Sequence, residues 1–182
     1  DGPLILVANE FFDSLPICQF QRTQDGWRER LVGLDPETGA FRFVLGSRGG
    51  AAARLIPPAV RGAPVGAIAE ASPAGLALAR EIGERLTAAG GAALIIDYGH
   101  ARSAPGETLQ AVRRHASHDV LAEPGTADLT AHVDFESLAR AAAEAGARVY
   151  GPIPQGEFLE ALGVGVRAEA LIASATPAQA AD

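Results

Sequence analysis

Ser72-Pro73-Ala74-Gly75-Leu76, and then Gly90-Gly91-Ala92-Ala93-Leu94-Ile95-Ile96-Asp97, frame the stretch on which the fold turns. Ser72 offers its hydroxyl oxygen to the free amides of a helix start, and Pro73 suits the first helical position, where an N–H is dispensable. Leu78, Ile82 and Leu86 recur at helical spacing, and Gly90-Gly91 supplies the stop. Ala92 to Ile96 is then apolar without alternation, the pattern of a strand covered on both faces of a parallel sheet. It ends in Asp97-Tyr98-Gly99-His100. A helix feeding directly into such a strand predicts an α/β domain with a mostly parallel sheet.

Working outward, Leu4 to Ala8 has the same two-face character and ends at Asn9-Glu10-Phe11-Phe12-Asp13, with Pro16 closing the segment. About 17–64 is more polar. Ile17–Gln21, Trp27–Val32 and Phe41–Leu45 read as short strands, with turns at Asp25-Gly26 and Asp35–Gly39. They predict an inserted antiparallel hairpin or small meander, followed by a loop from Gly46 to Pro64. Within it, Gly46-Ser47-Arg48-Gly49-Gly50 is no dinucleotide fingerprint, because it does not lead from a strand into a helix. Towards the other end, Asp134 caps a helix, with Val133 positioned to staple onto Leu138 and Gly146 to end it. A strand at Ala147–Tyr150, a short helix at Glu157–Leu162 stopped by Gly163, and a fraying tail over 173–182 complete the expected order. Residues 1–172 read as one domain.

Composition narrows the chemistry. Hydrophobic residues make up 48% and charged residues 20%, ordinary for a globular domain. No apolar run approaches the roughly 18 to 20 residues that cross a bilayer, so no membrane partner is expected. The net charge is −7, and the 15 basic residues are scattered, which disfavours nucleic acid as a partner. All 15 are Arg, so Schiff-base and P-loop lysine chemistry is excluded. The single cysteine, Cys18, fits a reducing compartment. The Ala, Gly and Arg bias points to GC-rich bacterial coding. No Met is present, and the chain opens on Asp1-Gly2-Pro3 directly before a core strand, which suggests a fragment or a processed product.

Ligands of open α/β sheets bind beyond the carboxyl ends of the strands. Two such ends carry polar clusters here, Asn9-Glu10 with Asp13, and Asp97-Tyr98 with His100. Set side by side, they would rim one pocket whose carboxylates could hold a cation. The same carboxylates could equally cap a neighbouring turn. His115 and His118, followed by Asp119, would share one face of a helix, but no standard zinc pattern is met and no metal is expected. His132, between Ala131 and Val133, is either a packed histidine or a site residue. No Gly-x-Ser-x-Gly elbow occurs.

Ala8-Asn9-Glu10-Phe11-Phe12-Asp13-Ser14-Leu15-Pro16 resembles the ANEFFDALP signature of the MidA family, the mitochondrial complex I assembly-factor methyltransferases and their bacterial relatives. The resemblance continues through Leu94–His100, Thr108–Arg113, Ala127–Phe135 and Gln155–Leu159, in the family's order. It implies a class I methyltransferase fold using S-adenosylmethionine. It also implies methylation of an arginine in a protein substrate, with a complex I subunit as the partner. By that resemblance, Asn9 and Glu10 lie at the cofactor's reacting methyl group. Glu10, Asp13, Asp97 and His132 become the catalytic candidates, and Asp13, Tyr98 and His100 the substrate-binding ones. The family's glycine-rich cofactor loop and ribose-binding acid are expected before Asp1, and its last strand after Asp182. The implied compartment is a bacterial cytoplasm, or the mitochondrial matrix in a eukaryote. A non-catalytic assembly or scaffold protein that keeps the fold stays open as the alternative.

Overall fold

The computed structural model describes residues 2–48 and 54–176. The chain runs β1 (Leu4–Asn9), β2 (Cys18–Thr23), β3 (Gly26–Leu34), β4 (Phe41–Arg48) and β5 (Ile68–Ala71) into α1 (Pro73–Ala89). Then follow β6 (Gly91–Ile96), β7 (Gly99–His100), β8 (Gln110–Arg113), β9 (Ala116–His118), β10 (Asp128–Thr130) and β11 (Val133–Asp134). Three helices close the order: α2 (Phe135–Glu144), α3 (Gln155–Ala161) and α4 (Val164–Ile172). They fall into two compact units, 1–149 and 150–182. No helix among the described residues is long and apolar enough to cross a membrane.

In the first unit, β1 and β6 pair in parallel from Leu4↔Gly91 to Asn9↔Ile96, which brings their carboxyl ends level. The helices form where the caps predict. Ser72 accepts from the Gly75 amide at 3.1 Å, and Asp134 accepts from the Ser137 amide at 3.1 Å. Ser72 also donates to the Pro16 carbonyl, tying the α1 start to the segment after β1. Phe12, Ala79, Ile82, Val133, Leu138 and Ala141 form the buried core between these elements, and Val133 and Leu138 sit on it as the staple requires.

Two expectations about the sheet change. The β1–β6 pair is covered on one face only: Leu6, Ala8, Ala93 and Ile95 pack on the core, while Ile5 and Val7 are 77% and 65% exposed. No described residue covers that second apolar face. Nor is the sheet mostly parallel. Among the described residues, parallel pairing is confined to β1–β6 and β7–β11, and the remaining strands pair antiparallel. The cause is local: β2, β3 and β4 are joined by tight turns, and short links cannot make parallel crossovers.

The insertion is larger than a hairpin. It is a four-stranded antiparallel sheet, β4-β3-β2-β5, and β5, read from sequence as nothing in particular, is one of its edges. Part of the expected Gly46–Pro64 loop is also core. Ile56 and Val60, around a 3-10 turn at Pro58–Val60, are 1% and 2% exposed and cover Phe20 and Ala69 of the sheet. The segment 49–53 of that loop lies outside the described residues, as does the tail over 177–182.

The His115–His118 stretch is not helical. β8 and β9 form a hairpin whose two turn residues, Arg114 and His115, both have positive φ (50° and 63°), the geometry of a two-residue primed turn. Hence His118 lies in a strand and His115 at the tip. Ala147–Tyr150 makes no strand. The second unit carries α3 and α4, joined at Gly163 in the left-handed region (φ 87°).

Gly83 shows how closely α1 and α2 approach. A Cβ there would lie 2.8 Å from the Ala142 carbonyl oxygen and 3.0 Å from the Ala145 Cβ. Gly83→Ala should therefore destabilise the intact protein by about 1–3 kcal/mol by forcing the helices apart. Ser72→Ala should cost about 1 kcal/mol as a lost cap. Urea unfolding measures both, and wild-type stability in Gly83→Ala would mean that the helices adjust without cost.

Candidate functional site

The level ends of β1 and β6 bring the two polar clusters together. The Glu10 amide donates to the Ile96 carbonyl at 2.9 Å, the last bond of the pair. Beyond it the chain turns sharply, and Asp97 fastens the turn. Its Oδ2 accepts from the amides of Phe12 (3.0 Å) and Asp13 (3.2 Å), and its Oδ1 from the Tyr98 amide (2.9 Å). Burial pushes the Asp97 carboxyl above the usual carboxylate range, with the nearby Asp13 charge adding to it and the amide bonds working against it.

Asp13 is buried, 5% exposed. Its Oδ2 accepts from the Tyr98 hydroxyl, its carbonyl accepts from the Ala131 amide at 2.9 Å, and its Oδ1 has no hydrogen-bond partner among the described residues. Burial, followed by the bond to Asp13, raises the Tyr98 hydroxyl's pKa and keeps it a donor. Gly99 follows because nothing larger fits: a Cβ there would sit 2.1 Å from the Val133 carbonyl oxygen across the β7–β11 pair.

Glu10 differs from both aspartates. It has φ 45°, a conformation that costs a non-glycine residue on the order of 1–3 kcal/mol. Its side chain is exposed and, like that of Asn9, makes no hydrogen bond or ion pair with the described residues. Of the strand-end carboxylates, Glu10 alone is free.

The other wall comes from the segment before α2. The His132 ring meets Tyr98 edge to face, with centroids 5.8 Å apart. The Val133 amide bonds the Tyr98 carbonyl at 3.1 Å, and the His132 amide bonds the Thr108 hydroxyl at 2.9 Å. His100 and His132 line a cavity of about 40 Å³ with Glu70, Ser72, Asp134 and Phe12. That volume suits a water or two; a drug-sized ligand needs roughly 300 Å³ or more.

The structure thus brings Asn9, Glu10, Asp13, Asp97, Tyr98 and His132 to one end of the β1–β6 pair, with His100 at the neighbouring cavity. His115 and His118 belong instead to the β8–β9 hairpin, where the His118 Nε2 lies 3.9 Å from Glu123. Glu70, Thr108 and Gln19, absent from the expected site, turn out to support it. Glu70 had one signal, a charge inside the otherwise apolar Ile68-Ala69-Glu70-Ala71.

Residues 1–153 match the family described as "Putative S-adenosyl-L-methionine-dependent methyltransferase". Among curated proteins, the chain is 42% identical over 178 residues to the mitochondrial protein arginine methyltransferase NDUFAF7 of Danio rerio, covering 97% of this chain and 41% of that protein. With the Homo sapiens protein of that name it shares 41% over 172 residues, covering 94% and 38%. Two crystal structures of COG1565 superfamily proteins from Burkholderia thailandensis superpose with TM-scores of 0.78 and 0.76, each at 31% identity. Each covers 98% of this chain but only 47% and 46% of the other, and the second holds S-adenosyl-homocysteine. The chain therefore spans about two-fifths of the length of the curated relatives, and with most of its residues matched it belongs to this S-adenosyl-L-methionine-dependent methyltransferase family.

Proposed function

We propose that this chain forms part of an enzyme that methylates an arginine side chain of a protein substrate. Glu10 carries the reading: a free carboxylate, held in a costly backbone conformation, at the carboxyl end of the parallel strand pair. Strain that the surroundings maintain at such a place has a use. The NDUFAF7 relatives, named as protein arginine methyltransferases, supply the substrate class. From the resemblance of the Ala8–Pro16 signature to the MidA family we further propose a complex I subunit as substrate, in a bacterial cytoplasm or a mitochondrial matrix.

Bound S-adenosylmethionine supplies a methyl group activated by a positively charged sulfur. Asn9 and Glu10 suit that neighbour, since both offer unengaged oxygen acceptors beside where a cation would sit. An arginine is cationic at every physiological pH, so its methylation needs a fixed geometry and an acceptor for the proton it sheds. Glu10 does both. Asp97 shapes the turn that aims Glu10, and Asp13 holds Tyr98, which packs His132 along the path of the side chain together with His100.

Glu10→Gln should lower turnover of the intact protein roughly 10- to 150-fold, equivalent to a charge-assisted contact of about 1.5–3 kcal/mol. Glu10→Gly should lose as much activity yet gain about 1 kcal/mol of stability, because glycine relieves the positive φ. Asp13→Asn keeps an oxygen for Tyr98 and should lose less activity than Glu10→Gln. Radiolabelled methyl transfer and thermal unfolding on the three variants decide the matter. Wild-type turnover in Glu10→Gln would remove Glu10, and methyl transfer absent from the wild type would favour a scaffold.

Because the chain matches only part of its relatives, the 182 residues alone should bind S-adenosylmethionine more weakly than micromolar, about −8 kcal/mol. Calorimetry showing micromolar affinity would mean that these residues hold a complete cofactor site.

A further inference from the structure

Glu70 belongs to the inserted sheet, yet its carboxylate reaches the candidate site through a single hydroxyl. In the register row that crosses β3, β2 and β5, Arg30, Gln19 and Glu70 stand side by side. Arg30 lies over the Phe43 ring, pairs with Glu107 and donates to the Gln19 Oε1; the Gln19 Nε2 donates to the Glu70 Oε1 at 2.8 Å. The same Oε1 accepts from the amides of Thr108 (3.0 Å) and Leu109 (3.2 Å), and Oε2 from the Thr108 hydroxyl. Four donors therefore converge on one carboxylate.

Anchoring the loop before β8 would take only the two amides. The fourth bond does something more specific. With its proton committed to Glu70, the Thr108 hydroxyl can only accept at its remaining face, and what it accepts is the His132 amide at 2.9 Å. That amide stands between the Ala131 amide, bonded to Asp13, and the Val133 amide, bonded to Tyr98. We propose that Glu70 is a positioning residue of the transferase site, fixing the Thr108 hydroxyl as an acceptor so that His132 is held against Tyr98. This rests on the methyltransferase reading above for its effect on turnover, but not for its effect on geometry.

A neutral amide at position 70 would turn an NH2 towards Thr108 and release the hydroxyl's proton, so the His132 amide would lose its assured acceptor. The test uses the intact protein with Glu70→Gln, Thr108→Val and Thr108→Ser, the double variant Glu70→Gln/Thr108→Val, and two readouts. In 15N-histidine-labelled protein, the His132 amide resonance (assigned by its loss in His132→Gln) should move in Glu70→Gln and Thr108→Val and return in Thr108→Ser. In turnover, kcat should fall about tenfold in Glu70→Gln and in Thr108→Val, at about 1.4 kcal/mol per decade, and no further in the double variant. The Michaelis constants should stay within about twofold, and Thr108→Ser should restore kcat. Additive losses, a rise in KM with kcat unchanged, or a Thr108→Ser as impaired as Thr108→Val would overturn the proposal. If the wild-type protein transfers no methyl group, the activity reading fails by itself. The His132 resonance then decides alone, and an unmoved resonance in Glu70→Gln ends the proposal.

Discussion

Everything at this end of the molecule depends on the Asp97 carboxylate. A parallel pair that stops leaves the amides beyond its last bond without partners, and buried amides need them. Asp97 takes three, those of Phe12 and Asp13 beyond the end of β1 and that of Tyr98, next to it in the chain. The turn after β1 is thereby closed onto β6, and Glu10 is left at its crest with a positive φ. The closure is not free of cost, since burial and the Asp13 charge outweigh the amide bonds and raise the Asp97 carboxyl. A folded-state value above the ordinary 3.8 means that the fold prefers the protonated acid. Asp97's contribution is fullest below that value and declines as pH rises through its own midpoint.

A second stitch adds to the first. The amides of three consecutive residues, Ala131, His132 and Val133, bond to Asp13, Thr108 and Tyr98 in turn. One short segment therefore joins the end of β1, the loop held by the inserted sheet and the end of β6. The inserted sheet is built around its own small core of Phe20, Ile56, Val60 and Ala69. Its contact with the site is polar, through Gln19 and Glu70. A sheet with its own core and a polar bridge can vary in sequence without disturbing the packing under α1, while still setting the position of His132.

Local chemistry was legible from the residues, and long-range partnership was not. The caps at Ser72 and Asp134, the stops at Gly90 and Gly146, and the two core strands follow from rules that act over four or five residues, and the structure has them all. Where the partner is distant, the reading went astray. His115 and His118 have a spacing compatible with one helix face, but Arg114 and His115 take positive φ and close a hairpin whose strand β8 also pairs with β10. Leu4–Ala8 looks like a strand covered twice because its residues are all apolar, whereas Ile5 and Val7 are largely exposed. The site was legible as a set of strand-end residues, but not as a division of labour. Nothing near Asp13 in sequence announces that Tyr98, 85 residues away, will occupy one of its oxygens. Glu70 and Thr108 stayed unseen for the same reason.

That division of labour bears on which carboxylate can do chemistry under the proposed reading. Arg30 pairs with Glu107, Arg42 with Asp35, Arg80 with Glu144 and Arg113 with Glu123, and His118 lies beside Glu123; none of these pairs brings a cation to Glu10, Asp13 or Asp97. The strand ends thus carry negative potential that a guanidinium would relieve on arrival. A group that receives a proton during a reaction must change charge without dismantling its surroundings. The Asp97 oxygens are engaged by three backbone amides and an Asp13 oxygen by the Tyr98 hydroxyl, so a change of charge at either is felt by the turn or by Tyr98. Glu10 holds nothing with its side chain, so its charge can change while the turn, the strand pair and the His132 wall all stay in place.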